Sequence, residues 1–406
     1  MEARFLSRPG ENDSAVLEAP TPHSGTRIPA LTGVRALAAF LVFFHHHPTR
    51  YLTYGPLSFW WEMHIGVTLF FVLSGFMITW RYDRRGPRKE SFLRSYFVNR
   101  FARIYPLYVA IVVPTMLFWG VRSFRAWFFN LTVFSHLEAG IPQAWSLRVE
   151  ECFYLCAPLL FLLWRRSPAF PLLAGAVALL ALWPIATLPA MAGILGPPRE
   201  LLLYTFFGRF FEFYVGVWLA HRVARRRPTA SPQGRFPIWT ILGALGIAGV
   251  VAALAAIHAS RAGAAYTYGL FHPAGIVLNN LVLPILIAAL YWGLATERSL
   301  LGRALSTPLA DLLGRSSYAF YLVHMGTMLN LALAAIIALA GVFGSSAATR
   351  VAGWLGHVSI LFVVVTLISI ALYEGIEAPA NRFLRRRFGK AGDRRAAGQP
   401  AYVEGP

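Results

Sequence analysis

The chain has 406 residues, 57% hydrophobic, 15% aromatic and only 14% charged, whereas soluble domains carry about a quarter charged residues. That composition excludes an ordinary water-soluble globule and a disordered chain, and at ~20 residues per span it supplies roughly ten membrane helices. The net charge of +19 does not indicate nucleic acid, because no soluble face is available to gather the arginines.

In chain order, residues 1–27 mix Pro, Glu, Asp, Ser and Arg with no apolar stretch, and read as a cytoplasmic, disordered tail and not a signal peptide. Apolar runs of spanning length follow at 30–47, 62–80, 104–120, 144–164, 170–189, 202–221, 237–258, 273–295, 317–340 and 354–374. Between the third and fourth, residues 121–137 are too short and polar to span, and predict an interfacial or re-entrant helix on the outer side. A second polar tail occupies 389–406. Residues 28–388 therefore read as one all-α, polytopic membrane helix bundle of about ten transmembrane helices. Of the 37 basic residues, 28 fall in tails and loops on one side, six on the other, and Arg35, Arg148 and Arg209 within spans. The positive-inside rule then makes both termini cytoplasmic. A missed or added helix would destroy that alternation. Cys152 and Cys156, four apart in one apolar run, predict packing, and no further ligands accompany them for a metal site.

Ionisable residues inside spans are costly and mark function by default. In the first span Arg35 and His46 are eleven residues apart, about three turns or ~16 Å, on one face. Such a pair can hold an anion at one level and a base at another, although an arginine there also snorkels to headgroups and His45, His46 and His47 also cap an outer helix end. In the fourth span Ser146 and Glu150 share a face at i, i+4. Measured from the helix ends, His46 lies ~6 Å and Glu150 ~9 Å below the outer surface, which predicts an imidazole and a carboxylate at matched depth. Arg100 and Arg103, one turn apart at the inner mouth of the third helix, suit bidentate phosphate binding, or serve as topology charges. Arg209 and Glu212, at i, i+3, neutralise each other. Ser317, Tyr318, Tyr321 and His324 lie within two turns of the ninth span.

Together these segments resemble the acyltransferase 3 family of bacterial integral-membrane O-acyltransferases. The family's first-helix Arg-x10-His falls on Arg35 and His46, and its second-helix pattern on Gly66 through Phe76, which includes Ser74. Its Arg-x-x-Arg falls on Arg100 and Arg103, its Trp-Ser-Leu-x-x-Glu-x-x-Phe-Tyr on Trp145 through Tyr154, and a Ser-Tyr-x-x-Tyr-x-x-His on Ser317 through His324. Thr32 stands where the family often has Asp.

The resemblance implies an acyl donor from the cytoplasm, acyl-CoA and typically acetyl-CoA, with no permanently bound cofactor. It also implies a hydroxyl acceptor on a cell-envelope glycan or a secreted small molecule, and residence in the bacterial cytoplasmic (inner) membrane. The residue types agree: cations at the inner mouth suit CoA phosphates, and imidazole suits activation of a hydroxyl near neutral pH. The expected roles are His46 as base, Glu150 supporting it and Ser146 contacting a reacting group. Arg35, Arg100 and Arg103 would bind the donor, and Ser74, Tyr318, Tyr321 and His324 would line the substrate path. A proton-coupled transporter or flippase of lipid-linked glycans would also keep His, Glu and Arg in its bundle. However, the Arg35/His46 and Trp145/Glu150 segments have no counterpart in the second half, where a repeat-built transporter would place one. A non-catalytic scaffold has no need of His46 and Glu150 at matched depth.

Overall fold

Apolar runs separated by Pro, Gly and charge become helices, because a backbone in lipid must satisfy its polar groups within each segment. The computed structural model describes residues 28–47, 55–82, 91–132, 141–188, 198–225, 236–260 and 268–389, and every regular element among them is helical. In chain order these are α1 (Pro29–His46), a 3-10 segment (Gly55–His64), α2 (Ile65–Tyr82), α3 (Ser91–Phe118), α4 (Phe124–Leu131), α5 (Ala144–Arg166) and α6 (Ala169–Ala186). There follow α7 (Pro198–Tyr204), α8 (Phe206–Arg225), α9 (Ile238–Ala259) and α10 (Pro273–Thr296). The chain ends with α11 (Leu300–Leu305), α12 (Pro308–Arg315), α13 (Ser317–Val323), α14 (Thr327–Gly341), α15 (Ser345–Leu355) and α16 (Val358–Phe388). Both tails lie outside the described residues.

Among the described residues seven helical stretches are long and apolar enough to cross a membrane: α1, residues 59–82, residues 93–118, α6, α9, α10 and α16. An eighth is the α13–α14 pair, bent by 84°. The expected continuous ninth span is thus broken, at Gly326, whose φ of 90° is left-handed and stops α13 from running on. Two more helices have spanning length but carry internal charge, α5 with 23 residues and α8 with 20. α5 turns Leu155, Leu159 and Leu162 outward and buries Glu151, while in α8 Arg209 and Glu212 are buried together, 2.8 Å apart. The mutual neutralisation expected of that pair is what forms.

α3 starts thirteen residues before the expected 104. Its buried stripe Tyr96, Asn99, Arg100, Ile104, Leu107 and Tyr108 keeps helical spacing throughout. Two polar members at the front of the stripe hide it from a hydropathy scan. Arg100 and Arg103 consequently lie within the helix, the former buried, and not at its mouth. α4 supplies the short helix expected within 121–137.

α2 is the central helix, and it packs into both apolar cores, with Val67, Phe71 and Ile78 on one side and Leu69, Val72 and Phe76 on the other. Its closest neighbour is α8, where a Cβ on Gly75 would stand 2.2 Å from Phe213 O and one on Gly216 2.1 Å from Val72 O. Small residues let the backbones touch, the usual basis of helix association in lipid. At the other extreme α6 exposes Phe170, Leu173, Val177, Leu180 and Trp183, an apolar outer surface suited to lipid and unsuited to water. Cys152 and Cys156 are free and pack against the first core.

Candidate active site

Eight of the ten residues singled out in the sequence line one cavity: Arg35, Ser74, Arg100, Arg103, Ser146, Glu150, Tyr318 and Tyr321, joined by Tyr154 and an apolar wall of Val67, Phe70, Leu73, Met77 and Ile78. They come from α1, α2, α3, α5 and α13, so only tertiary folding assembles them. The cavity holds about 80 Å³, where a single water needs about 10–15 Å³. That leaves room for a short acyl group.

Its electrostatics are set by three guanidiniums, which do not deprotonate in proteins. Arg35 Nε donates to Ser317 Oγ at 3.3 Å. The Arg100 guanidinium lies between two aromatic rings, 5.6 Å from Tyr82 and 5.4 Å from Tyr154, a cation–π arrangement that needs no carboxylate. Arg103 forms an ion pair with Glu377 and lies over the Tyr318 ring. Of the expected phosphate pair, then, Arg103 already has an anionic partner and Arg100 has aromatic ones. Tyr318 OH donates to Ile104 O at 3.0 Å, which fixes the ring under Arg103.

Glu150 is oriented from α2 and from its own helix: Ser74 Oγ and Tyr154 OH both donate to its Oε1, the latter at 2.5 Å. Ser146, one turn earlier, has its hydroxyl 2.5 Å from Tyr321 OH and donates to Gln143 O at 3.2 Å. Tyr321 OH is 3.2 Å from the same carbonyl, and with Ser146 donating there its own proton goes to Ser146 Oγ, while Gln143 Nε2 donates to Leu322 O at 2.7 Å. These bonds tie the start of α5 to the end of α13.

His46 and His324 lie beyond the cavity wall. The ring of Tyr321 is 5.5 Å from that of His324, which is 5.1 Å from that of His46. The geometry assigns their tautomers. His324 Nδ1 is 2.7 Å from Tyr321 O, and a carbonyl only accepts, so Nδ1 carries the proton and Nε2 is an acceptor. His46 Nδ1 is 2.9 Å from Val42 O and 3.2 Å from His324 Nε2. Both are acceptors, so His46 Nδ1 is protonated and its Nε2 holds the free lone pair. His46 is exposed while His324 is 0% exposed. An accessible imidazole is thus held by a buried one, and His47 Nε2 donates to His324 O at 2.7 Å behind it.

Contrary to expectation, His46 and Glu150 do not pair. Matched depth fixes a level in the bundle and leaves the direction around each helix axis open. His46 is oriented by Val42 and His324, and Glu150 by Ser74 and Tyr154. His324, expected on the substrate path, is a buried support.

Two acids were missed in the sequence. Glu377 stands three residues past the last apolar run, in a π turn at Tyr373–Glu377. Glu62, 0% exposed, receives His64 Nε2 at 3.0 Å and Gly269 N at 2.9 Å, with His258 Nδ1 at 3.5 Å. The His64 ring is 5.6 Å from that of His45, whose Nδ1 donates to Trp61 O at 2.7 Å. A carboxylate two residues before a histidine at the mouth of an apolar run was the available signal for Glu62.

A family described as an acyltransferase domain matches residues 28–374. The chain is 32% identical over 176 residues to the peptidoglycan O-acetyltransferase OatA of Listeria monocytogenes, covering 36% of this chain and 27% of that protein. It is also 32% identical over 187 residues to nodulation protein 10 of Rhizobium leguminosarum, covering 38% and 49%. To the acyltransferase MdmB of Streptomyces mycarofaciens it is 26% identical over 338 residues, covering 75% and 79%. The chain spans less than half of the length of the first two relatives. No solved structure matches it.

Proposed function

This chain belongs to the acyltransferase 3 family, and from that premise we propose that it transfers an acyl group, acetyl in the first instance, from acyl-CoA to a hydroxyl of an envelope glycan or a secreted small molecule. Its place is the bacterial cytoplasmic membrane, with ten spans and both termini inside. α5 and α8, the fourth and sixth spans in chain order, complete the count of ten, because their charges turn inward and the basic residues alternate only with an even count.

The observation that carries this reading is the cavity in which Arg35, Arg100 and Arg103 meet Glu150, one tyrosine away from the His46–His324 pair. Arg100 is the primary phosphate ligand, since its partners are the Tyr82 and Tyr154 rings and the Tyr82 hydroxyl, with no carboxylate for phosphate to displace. Arg35 adds charge, and Arg103 with Glu377 braces α3 against α16. The acyl group extends past Glu150 and Ser146 towards Tyr321. His46 Nε2 takes the proton of the acceptor hydroxyl as its oxygen attacks the thioester carbonyl. The C–S bond breaks, a C–O bond forms, and the proton passes to the departing thiolate, giving an ester and free CoA.

Mass spectrometry of envelope glycans and secreted metabolites from a deletion strain tests the proposal. Loss of an acyl ester, restored by the wild-type chain and not by His46→Ala, is the expected result. Unchanged acylation in the deletion strain rejects it.

A further inference from the structure

A second concavity, a cleft of about 580 Å³, lies between α8, α9 and α10. On α8 its wall includes Phe211, Trp218 and Arg222, on α10 Ile285 and Ala289, and Trp239 closes it at the start of α9. Ile285 is 56% exposed and Trp239 48%, so the cleft opens on the outer surface of the bundle. Its polarity is graded along its length. The deep end is apolar, and the other end carries indoles together with the exposed guanidinium of Arg222, held 5.1 Å over the Trp218 ring. Beside it Glu297 is engaged by Trp239 N at 3.0 Å and by Thr240 N at 2.9 Å.

From Phe211 to Arg222 is eleven residues, ~16 Å of helix, about half of a ~30 Å hydrocarbon core. The cleft is therefore one leaflet deep, with indoles and a cation where headgroups lie. Five basic residues fall between Arg222 and Arg235, which puts this end on the cytoplasmic side in the topology proposed above. We propose that the cleft is a binding site for one anionic phospholipid of the cytoplasmic leaflet, its phosphate on Arg222 and an acyl chain along Trp218, Phe211 and Ile285. A cation at the headgroup end of an otherwise apolar cleft on that side matches an anionic headgroup.

The proposal rests on that topology, and the two are tested separately. Delipidated full-length protein is titrated with phosphatidylglycerol, and retained lipid is read by native mass spectrometry at rising collision energy. Phosphatidylethanolamine and undecaprenyl phosphate serve as competitors. Wild type should retain one phosphatidylglycerol in preference to both. Arg222→Gln should weaken retention about tenfold, the loss of one charged hydrogen bond. Ala289→Phe, which fills the cleft, should abolish it. Neither residue belongs to the acyl-transfer site, so acyl-CoA binding remains as the check of folding. Equal retention by wild type and both variants overturns the proposal, as does preference for undecaprenyl phosphate. A reporter fused near residue 230 that reads outside would instead reject the topology while leaving the lipid data standing.

Discussion

Two of the polar regions inside this apolar bundle are stabilised by opposite means. The arginine cavity keeps fixed charge: its cations are held by ring faces, the Ser317 hydroxyl and one glutamate, and its one well-oriented acid by two hydroxyls. The histidine region holds imidazoles through backbone carbonyls of Val42, Trp61, Tyr321 and His324, with the buried acid Glu62 at its far edge. A permanent charge suits recognition of a permanent anion. An imidazole whose tautomer is set by carbonyls suits proton transfer. Variants in the two regions should therefore separate into donor affinity on one side and turnover on the other.

The largest effect is expected at His46. His46→Ala should reduce acyl transfer by about 10²–10⁴-fold, the usual contribution of a general base, with acyl-CoA affinity retained because the cavity is intact. His45→Ala and His47→Ala should be milder, since their ring nitrogens bond Trp61 and His324 carbonyls. Steady-state kinetics in nanodiscs decide this, and wild-type turnover in His46→Ala would merge the two regions into one donor site.

Next comes Glu62→Ala. It leaves Gly269 N and His64 without their buried acceptor, at a cost of about 1–3 kcal/mol, and possesses no counterpart effect on the cavity. Thermal melting of the detergent-solubilised variant should fall while acyl-CoA binding persists in what remains folded. An unchanged melting temperature would show that Glu62 does not brace the histidine region.

For the arginine cavity, Arg100→Lys keeps the charge and loses the planar fork that stacks between Tyr82 and Tyr154. Acyl-CoA titration should show affinity weakened by about 1–3 kcal/mol, the scale of a charged hydrogen bond, with normal insertion. Arg103→Lys should affect folding yield more than affinity, because its partner is Glu377. The reverse order of effects would make Arg103 the phosphate ligand.

How much of this could be read from residue order follows the same division. Arg35, Arg100, Ser146, Glu150, Tyr318 and Tyr321 were legible because each is a polar residue in or beside an apolar run, and such positions are few. Their convergence on one cavity was not, since four helices contribute them and spacing along one helix says nothing about the direction faced by another. Matched depth does not bring His46 and Glu150 together for that reason. Glu62 and Glu377 were passed over because they stand at the edges of runs, where a charge normally meets headgroups or water. Here the 3-10 segment and the π turn fold those edges inward. The start of α3 was lost to Asn99 and Arg100, polar residues on a buried stripe, and the break at Gly326 because one glycine in an apolar run carries no hydropathy signal.

The smallest effect tests the wall between the regions. Tyr321 touches both: its hydroxyl meets Ser146 and the Gln143 carbonyl on the cavity side, and its ring lies against His324 on the other. Tyr321→Phe keeps the ring, so the His324–His46 pair should stay in place, and removes only the hydroxyl bonds that fix Ser146 and the start of α5. A neutral hydrogen bond contributes about 0.5–1.5 kcal/mol, so turnover should drop by a few-fold with donor affinity nearly unchanged. Ser146→Ala breaks the same bond from the opposite side, and a double-mutant cycle measures whether the two losses are one loss. If they act through that single bond, the double variant should be no slower than the slower single variant. Fully additive losses would mean that each hydroxyl meets the reacting group by itself, and the tyrosine would then belong to the chemistry and not to the wall.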